Sequence, residues 1–508
     1  MLNSVDFSGK PFHFIGIGGI GMSALAYVLA KQRLPVSGSD ISLSHITQRL
    51  QDQGAHIFWS QDATNLEFFT NAAQREAIAS PVAIANLPPL VSSVEPNGCK
   101  SQVVDRVADP ALPQVICSTA INPNNSEYRA ALDLGCPIFH RSDVLAALMQ
   151  RYRSIAVAGT HGKTTTSSMI GYLLLQTGLD PTIVVGGEVD AWEGNARLGE
   201  SPYLVAEADE SDGSLVKLTA EVGIITNIEL DHPDHYQTVD EVVETFQIFA
   251  QQCKVLVGCL DCDRVRDDLN PSITYSLDPQ LEADYTATDV VYQSDGTIAT
   301  IWERGKPMGQ LKLSLLGQHN LSNALAAIAI GRYLGLEFEA IATVLKTFEG
   351  ARRRFERKGE YHGISFVDDY AHHPSEIRAT LAAARQQLKH SASAGNRLVA
   401  VFQPHRYSRT QAFLADFAQC FQDADLVVTT EIYAASEVNS GQISGQNLWE
   451  AIASHHPQAI FQPSLSDVQT YLQQTLQPGD LVLFLGAGNL NRILPELIAF
   501  FQQLDSAE

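Results

Sequence analysis

The stretch SIAVAGTHGKTTT (residues 154–166) decides the fold of the middle of this chain. It begins as a short apolar run typical of a buried strand, and an apolar helical pattern follows its Gly-Lys-Thr core. In a strand–turn–helix of this kind, loop N–H groups hold phosphate, the lysine reaches the outer phosphate oxygens, and the next hydroxyl holds Mg²⁺. Lys163 and Thr164 occupy those two positions. The strict P-loop pattern would need glycine in place of Val157, so the match is to the form GT-x-GKTT.

A second glycine loop lies near the start of the chain, where GIGGIG (residues 16–21) follows the run FHFI and precedes the helical pattern MSALAYVLA. Its spacing matches G-x-G-x-x-G, in which glycines let a pyrophosphate approach the start of a helix. Asp40 follows about 20 residues later, where an acid would bind a ribose. The pattern predicts a bound nucleotide diphosphate, with NAD as the default ligand. The alternative is that these glycines serve only close strand–helix packing.

Short apolar runs rich in β-branched residues alternate with helical patterns along nearly the whole chain, which predicts α/β domains with mainly parallel sheets. A fresh strand begins after Arg153 and a basic run begins after Gly350, so we predict domain boundaries near residues 150 and 349. The clearest predicted strands are FHFIGI (12–17), SIAVAG (154–159), YLVAEA (203–208), GIITNI (223–228), RLVAVF (397–402), LVVTT (426–430) and LVLFLG (481–486). Three domains result: 1–150, 151–349 and 350–508.

The composition limits which classes of partner and which cellular compartment suit the protein. The 508 residues carry a net charge of −23, which disfavours nucleic acid and anionic membranes as main partners because both need a basic face. Basic residues concentrate between 352 and 409, where 11 occur among 58 residues, so an anionic substrate can still be held locally. Seven thinly spread cysteines and a glycine-interrupted apolar segment near the start predict a cytoplasmic protein without a signal peptide. Six prolines between residues 81 and 113 predict an irregular surface insertion in the first domain.

Three further stretches contain residues suited to binding anions and metals. Glu207 ends the predicted strand YLVAEA, so its carboxylate should point into the ligand crevice at the carboxyl edge of a sheet. Histidines and arginines gather after two strands of the third domain, in DDYAHHP (368–374) and QPHRYSR (403–409), and arginine forks suit a carboxylate ligand. His373 could equally cap the helix that follows it. Asn320 is predicted as a helix N-cap, and of the three consecutive arginines at 352–354 only one is expected to turn inward.

The motifs GIGGIGMS, AGTHGKTTT and DDYAHHPSE occur in this order over three domains, and together they resemble those of the Mur ligases. The resemblance implies a Rossmann-like first domain, a central P-loop ATPase-type domain and a Rossmann-like third domain. It also implies that ATP and Mg²⁺ serve to join L-alanine to the carboxylate of UDP-N-acetylmuramate through an acyl phosphate. The alternative within the family is a member that attaches a tripeptide to the same sugar nucleotide during muropeptide recycling. The oligomeric state expected is a monomer or a weak homo-oligomer.

The same resemblance implies a role for individual residues. Catalysis would fall to Lys163, Glu207, His232 and Arg354, with Mg²⁺ held by Thr164, Glu207 and His232. ATP would contact Gly159, Thr160, His161, Gly162, Lys163, Thr164, Thr165, His319 and Asn323. The UDP-sugar would contact Gly18, Gly19, Ile20, Gly21, Met22 and Asp40, and the amino acid would contact Tyr370, His372, His405, Arg406 and Arg409.

Two readings outside the ligase class stay open at this point. A nicotinamide-dependent oxidoreductase would explain the first glycine loop and Asp40, but it leaves the GKTT loop, Glu207 and His232 without a role. An ATP-driven binding or scaffold module would explain both loops, but it leaves the cluster of the third domain idle. NADH binding would test the first of these readings, and carboxylate-dependent formation of ADP would test the second.

Overall fold

The computed structural model describes residues 4–70, 112–389, 396–439 and 441–505. Nearly all of the predicted proline-rich insertion therefore lies outside the described residues. The described part divides into two compact units, one formed by 1–158, 174–224 and 245–256, the other by 159–173, 225–244 and 257–508. Among the helices in the described ranges, none combines the length and apolar character needed to cross a membrane.

Unit 1 contains a five-stranded parallel sheet with the order β3-β2-β1-β4-β5. This order is that of a Rossmann-type sheet, whose ligand crevice opens where the order reverses, beside β1. Its elements are β1 (Phe12–Ile15), α1 (Ile20–Lys31), β2 (Val36–Ser39), α2 (His45–Asp52), β3 (His56–Phe58), α3 (Glu67–Thr70), β4 (Gln114–Cys117), α4 (Ser126–Asp133), β5 (Ile138–His140) and α5 (Arg141–Met149). All four residues of β1 are buried, as expected for a central strand covered on both faces.

The middle of the chain contributes elements to both units. They are β6 (Arg153–Ala158), α6 (Lys163–Gln176), β7 (Thr182–Val189), β8 (Gly194–Arg197), β9 (Tyr203–Glu207), β10 (Ala220–Ile225), α7 (Val239–Gln251) and β11 (Cys253–Cys259). In unit 1 the strands β10, β6, β9, β7 and β8 are neighbours in that order, and β8 is antiparallel to β7.

Unit 2 continues with α8 (Asp263–Asp268), β12 (Ile273–Ser276), β13 (Tyr285–Gln293), β14 (Gly296–Glu303), β15 (Lys306–Leu313), α9 (Gln318–Tyr333) and α10 (Phe338–Leu345). Strands β13, β14 and β15 form an antiparallel meander, which the prediction of mainly parallel sheets did not include. Their alternating burial leaves one face polar, so they lack the continuous apolar run by which the parallel strands were found.

The rest of unit 2 is a six-stranded sheet with the order β16-β17-β21-β18-β19-β20, parallel except for its antiparallel edge strand β16. Apolar clusters cover both faces, one centred on Phe402 and Phe417 and the other on Phe484 and Phe501. The elements are β16 (Glu356–Tyr361), β17 (Ile364–Asp369), α11 (Pro374–Lys389), β18 (Leu398–Phe402), α12 (Tyr407–Ala412), α13 (Leu414–Ala418), β19 (Leu426–Thr429), α14 (Gly445–Ala453), β20 (Ala459–Phe461), α15 (Leu465–Thr475), β21 (Leu481–Leu485) and α16 (Leu494–Asp505). All seven quoted strands are confirmed, and the α/β class with them.

Candidate functional site

The loop that precedes α6 requires glycine at two positions. Gly159 has φ +137°, and a Cβ there would overlap the Thr226 hydroxyl. Gly162 has φ +81°, and a Cβ there would lie 2.8 Å from the Asn323 Oδ1 atom. Both backbone conformations are ones that L side chains rarely adopt. The glycines therefore permit the tight turn and let α9 approach the loop.

Lys163 and Thr164 begin α6 with their side chains turned back toward the loop. The Lys163 Nζ atom donates to the carbonyls of Gly159 and Thr160, at 2.6 and 3.0 Å. The Thr164 hydroxyl lies 3.5 Å from the Arg354 Nη2 atom. This arrangement collects an ammonium group, a guanidinium group and a hydroxyl at the amino end of one helix, which is the chemistry that a nucleotide phosphate requires.

His161 is clamped between two carboxylates. Its Nε2 atom lies 3.4 Å from Glu229, and its Nδ1 atom lies 3.4 Å from Glu376. Burial alone would lower the pKa of His161, but the two carboxylates outweigh it and raise the pKa to about 10. His161 is therefore an imidazolium, a fixed positive charge within the loop.

A cavity of about 170 Å³ opens beside this loop and is lined by α9, α11 and the segment around residue 354. The predicted residues His319 and Asn323 both line it, together with His161 and Thr165. Burial, together with the charge of Arg354, lowers the pKa of His319 to about 4, so its ring is neutral and able to contact a base. Asn320 is not the N-cap that we predicted, because the helix begins earlier, after Gly317, and Asn320 donates to the Leu316 carbonyl.

The segment NIELDHPDH (residues 227–235), which contains the predicted metal ligand His232, is anchored by a buried ion pair. Arg409, 2% exposed, donates from Nε to the Asp231 carboxylate at 2.8 Å and places Nη2 at the same distance. Burial would raise the pKa of Asp231, but the neighbouring Arg409 guanidinium dominates and holds it well below its usual range. His232 follows with φ +56° and its Nε2 atom 3.5 Å from Asp231. The Arg409 guanidinium, predicted to meet a substrate carboxylate, is thus engaged with Asp231.

The other predicted amino-acid contacts lie together. The His372 ring centroid lies 5.4 Å from that of Tyr370 and 5.9 Å from that of His405. His405 also stacks on Tyr433, at 5.7 Å. Burial lowers the pKa values of His372 and His405, to about 4 and about 2, so both rings are neutral. Arg406 pairs with Asp234 at 2.5 Å.

The boundary arginines differ from the prediction, because two of the three turn inward. Arg352 is exposed, whereas Arg353 pairs with Asp368 at 3.3 Å and Arg354 lies 3.9 Å from Glu376. Both guanidinium groups lie over the ring of Tyr370, at 4.9 and 5.2 Å. Cation–π attraction to the Tyr370 ring therefore helps to hold both arginine side chains in place. His373 behaves as the predicted cap, since its Nδ1 atom accepts from the Ser375 N–H group.

Unit 1 contains the first glycine loop and Glu207. The Asp40 carboxylate accepts from the Gly18 N–H group at 2.8 Å, and the predicted residues from Gly18 to Met22 form the loop and the first turn of α1. Glu207 ends β9 as predicted, and its carboxylate accepts from the Gly186 N–H group at 2.7 Å.

Sequence reasoning assigned no role to several residues that the structure brings to these places. They are Arg141, Glu229, Asp231, Glu376 and Tyr433. Glu229 and Asp231 lie just before the predicted metal ligand His232. Glu376 lies four residues after His372, a spacing that places both on one side of a helix start. Arg141 and Tyr433 have no local signal, because tertiary contacts alone give them their positions.

Three family domains match the chain in succession. Residues 11–153 match "Mur ligase family, catalytic domain", residues 157–331 match "Mur ligase middle domain", and residues 353–488 match "Mur ligase, glutamate ligase domain". Together they account for most of the chain.

Individual relatives agree with these matches. The UDP-N-acetylmuramate–L-alanine ligase of Nostoc punctiforme is 64% identical over 99% of this chain and 98% of its own length. The protein of the same name from Gloeothece citriformis is 61% identical, over 98% and 99%. The crystal structure of UDP-N-acetylmuramate-alanine ligase from Thermotoga maritima superposes with a TM-score of 0.76 at 27% identity, covering 98% of this chain and all of that one. A murein peptide ligase from Psychrobacter arcticus shares the fold, with a TM-score of 0.67 at 22% identity over 97% and 99%. The chain belongs to the Mur ligase family.

Proposed function

We propose that this chain is an ATP-dependent ligase that joins L-alanine to the carboxylate of UDP-N-acetylmuramate, a step in peptidoglycan precursor synthesis. The observation that carries the proposal is the assembly, within unit 2, of the GKTT loop, His319, Asn323 and Arg354 around one cavity. Relatives that are 61–64% identical along their whole length bear the name of this activity. An ATP-requiring reaction and the sparse cysteines of the sequence both suit a cytoplasmic enzyme.

The first chemical step would transfer the γ-phosphate of ATP to the sugar's carboxylate, giving an acyl phosphate and ADP. This type of transfer is catalysed mainly by positioning and by neutralising charge. We assign Lys163 to the outer phosphates and Arg354 to the γ-phosphate, since both cations lie at the amino end of α6. His319 and Asn323 would contact the adenine from α9, and the glycines of the loop would admit the phosphates.

The residues that the family resemblance assigns to Mg²⁺ have side chains of the chemistry that this metal prefers. The Thr164 hydroxyl and the Glu207 carboxylate are hard oxygen ligands, and His232 adds one imidazole. Bound there, Mg²⁺ would neutralise charge on the transferring phosphate. We propose these three residues as its ligands.

In the second step the amino group of L-alanine would displace phosphate from the acyl phosphate. Neutral His372 and His405, with Tyr370, form a polar aromatic cluster that would contact the amino acid. Arg406 has donors for its carboxylate, whereas Arg409 would act through Asp231 by holding the loop that bears His232. We keep the domain boundaries near residues 150 and 349, and the first domain would bind the UDP-sugar at Gly18–Met22 and Asp40.

The deciding experiment measures phosphate release from ATP with UDP-N-acetylmuramate and, separately, L-alanine, glycine, L-serine or the tripeptide as acceptor. We expect turnover with L-alanine to exceed that with every other acceptor, and none without the UDP-sugar. A preference for the tripeptide would assign the chain to muropeptide recycling instead. Turnover that is independent of any acceptor would refute the ligase assignment.

A further inference from the structure

A half-buried arginine lies between the first glycine loop and the acidic segment that follows Glu207. Arg141 is the first residue of α5, and its guanidinium packs against Gly21 in the first turn of α1. A Cβ on Gly21 would lie 3.1 Å from the Arg141 Nη1 atom. The absence of a side chain at Gly21, the last glycine of the G-x-G-x-x-G pattern, therefore makes room for a cation.

The opposite edge of the same guanidinium is anchored by carboxylates. Its Nη2 atom lies 2.7 Å from Asp209 and 3.7 Å from Asp212. Asp212 is mostly buried and also lies 3.3 Å from the Nε2 atom of His140. The acidic segment, residues 209–212, begins two residues after Glu207, so Arg141 ties the loop that would hold the sugar nucleotide to the segment that would present a metal ligand.

The guanidinium keeps one edge available for a ligand. Within the described ranges its hydrogen bonding is from Nη2 to Asp209, while Nη1 faces Gly21, and the side chain is 23% exposed. Arginine has five N–H donors in a rigid fork, so a carboxylate on one edge leaves donors for a phosphate on the other. The start of a twelve-residue helix at the same point adds its own preference for anions.

We propose that Arg141 binds the diphosphate of the UDP-sugar, and that Asp209 and Asp212 hold its guanidinium ready for this role. The inference rests on the proposed function and extends it, because it adds to the sugar-nucleotide site a cation that the glycine motif does not contain. Because Arg141 neutralises part of the charge of residues 209–212, the proposal also explains how this acidic segment can lie close to an anionic substrate.

The test compares the dissociation constants of UDP-N-acetylmuramate and UDP-N-acetylglucosamine, measured without ATP, for the full-length wild-type protein and for Arg141→Ala and Arg141→Lys. Because a hydrogen bond to a charged group is lost, Arg141→Ala should weaken both ligands by about ten-fold or more, and Arg141→Lys should weaken them less. Arg197→Ala is the matched control, because Arg197 also pairs with an aspartate, Asp180, within unit 1. Its affinities should equal those of the wild type.

Asp209→Asn separates ligand binding from a structural role. It removes the anchoring charge but leaves the guanidinium, so affinity should change much less than in Arg141→Ala. Equal loss in Arg141→Ala and Asp209→Asn would show a structural pair and overturn the proposal. Weakening confined to UDP-N-acetylmuramate would place Arg141 on the sugar's carboxylate and overturn the diphosphate assignment. If Arg141→Ala does not fold, Arg141→Lys decides, since wild-type affinity there would refute a fork-specific contact. A wild-type protein that binds neither ligand would refute the proposed function itself.

Discussion

At the scale of single residues, the site is a set of charges held by opposite charges. Lys163 is turned onto carbonyls of its own loop, His161 lies between Glu229 and Glu376, and Arg409 is buried against Asp231. A buried charge is stable only when paired, and the partners of His161 and Arg409 come from distant parts of the sequence. Substituting one member changes what the other can do.

Lys163→Ala should abolish most turnover without unfolding the protein. The ammonium group contributes charge neutralisation on the phosphate, and loss of one such contact reduces the rate by about 10² to 10³-fold. The measurement is phosphate release together with a thermal unfolding scan. Lys306→Ala, at an exposed position on β15, is the control and should behave as the wild type. Near-normal turnover in Lys163→Ala would contradict the role assigned to the loop.

His161→Gln should remove a pH dependence of stability. The pKa of His161 is about 10 in the folded protein, whereas the ordinary value for histidine, which applies to the unfolded chain, is 6.5. The ion pairs of His161 therefore contribute fully to stability below pH 6.5. That contribution is lost as the pH rises from 6.5 toward 10. The difference in melting temperature between the wild type and His161→Gln should therefore shrink over this window.

The control for this prediction is His235→Gln, which alters an exposed histidine. Its melting temperature should follow that of the wild type at every pH. A constant difference between the wild type and His161→Gln from neutral to alkaline pH would mean that His161 is not held as an imidazolium.

At the scale of elements, three loops of the site lie between the end of a strand and the start of a helix. β6 leads into the GKTT loop and α6, β17 leads into DDYAHHP and α11, and β18 leads into QPHRYSR and α12. The carboxyl ends of parallel strands lie along one edge of their sheet, so the loops that follow these strands are neighbours. Some turns at these ends need a positive φ and leave no room for a Cβ, so glycine is required there, as at Gly159 and Gly162.

Gly159→Ala should destabilise the loop through a steric clash. The new Cβ would overlap the Thr226 hydroxyl, in addition to the strain of φ +137°. Gly178→Ala is the matched control, because Gly178 also has positive φ, +79°, but has nothing within 4 Å of the added Cβ. We expect Gly178→Ala to cost about 1 kcal/mol, and Gly159→Ala to cost more and to weaken ATP binding. Equal melting temperatures for the two variants would refute the clash.

At the scale of the whole molecule, charge is distributed unevenly. The net charge is −23, yet the segment from Arg352 to Arg409 is rich in basic residues, and several of them turn inward to meet carboxylates or aromatic rings. A surface dominated by acids repels polyanions at long range, while small anions are bound by short-range contacts in loops.

The protein should therefore bind ATP but neither duplex DNA nor anionic lipid vesicles at physiological ionic strength. Fluorescence anisotropy with labelled DNA and co-sedimentation with vesicles containing phosphatidylserine would measure this, with ATP binding as the positive control. Salt-sensitive binding to DNA would contradict the charge argument, because phosphate-backbone binding weakens steeply as salt rises.

The amino-acid sequence by itself determined the α/β class, the parallel strands and both glycine loops. It also predicted a ligand role for His161, His319, Asn323 and Arg354, and the structure places these four residues around one cavity. These features depend on residues that are close in sequence. An apolar run, a glycine at a turn or a lysine at a helix start predicts the same local structure whatever the rest of the chain does. The antiparallel meander β13–β15 was not predicted, because a half-exposed antiparallel strand lacks a continuous apolar run.

Only the tertiary structure decided which charges meet. The inward turn of Arg353, the engagement of Arg409 with Asp231, the clamp on His161 and the place of Arg141 against Gly21 all join residues far apart in sequence. The physical reason is that ion pairing depends on distance in space and on burial, and a sequence pattern specifies neither for residues brought together by folding.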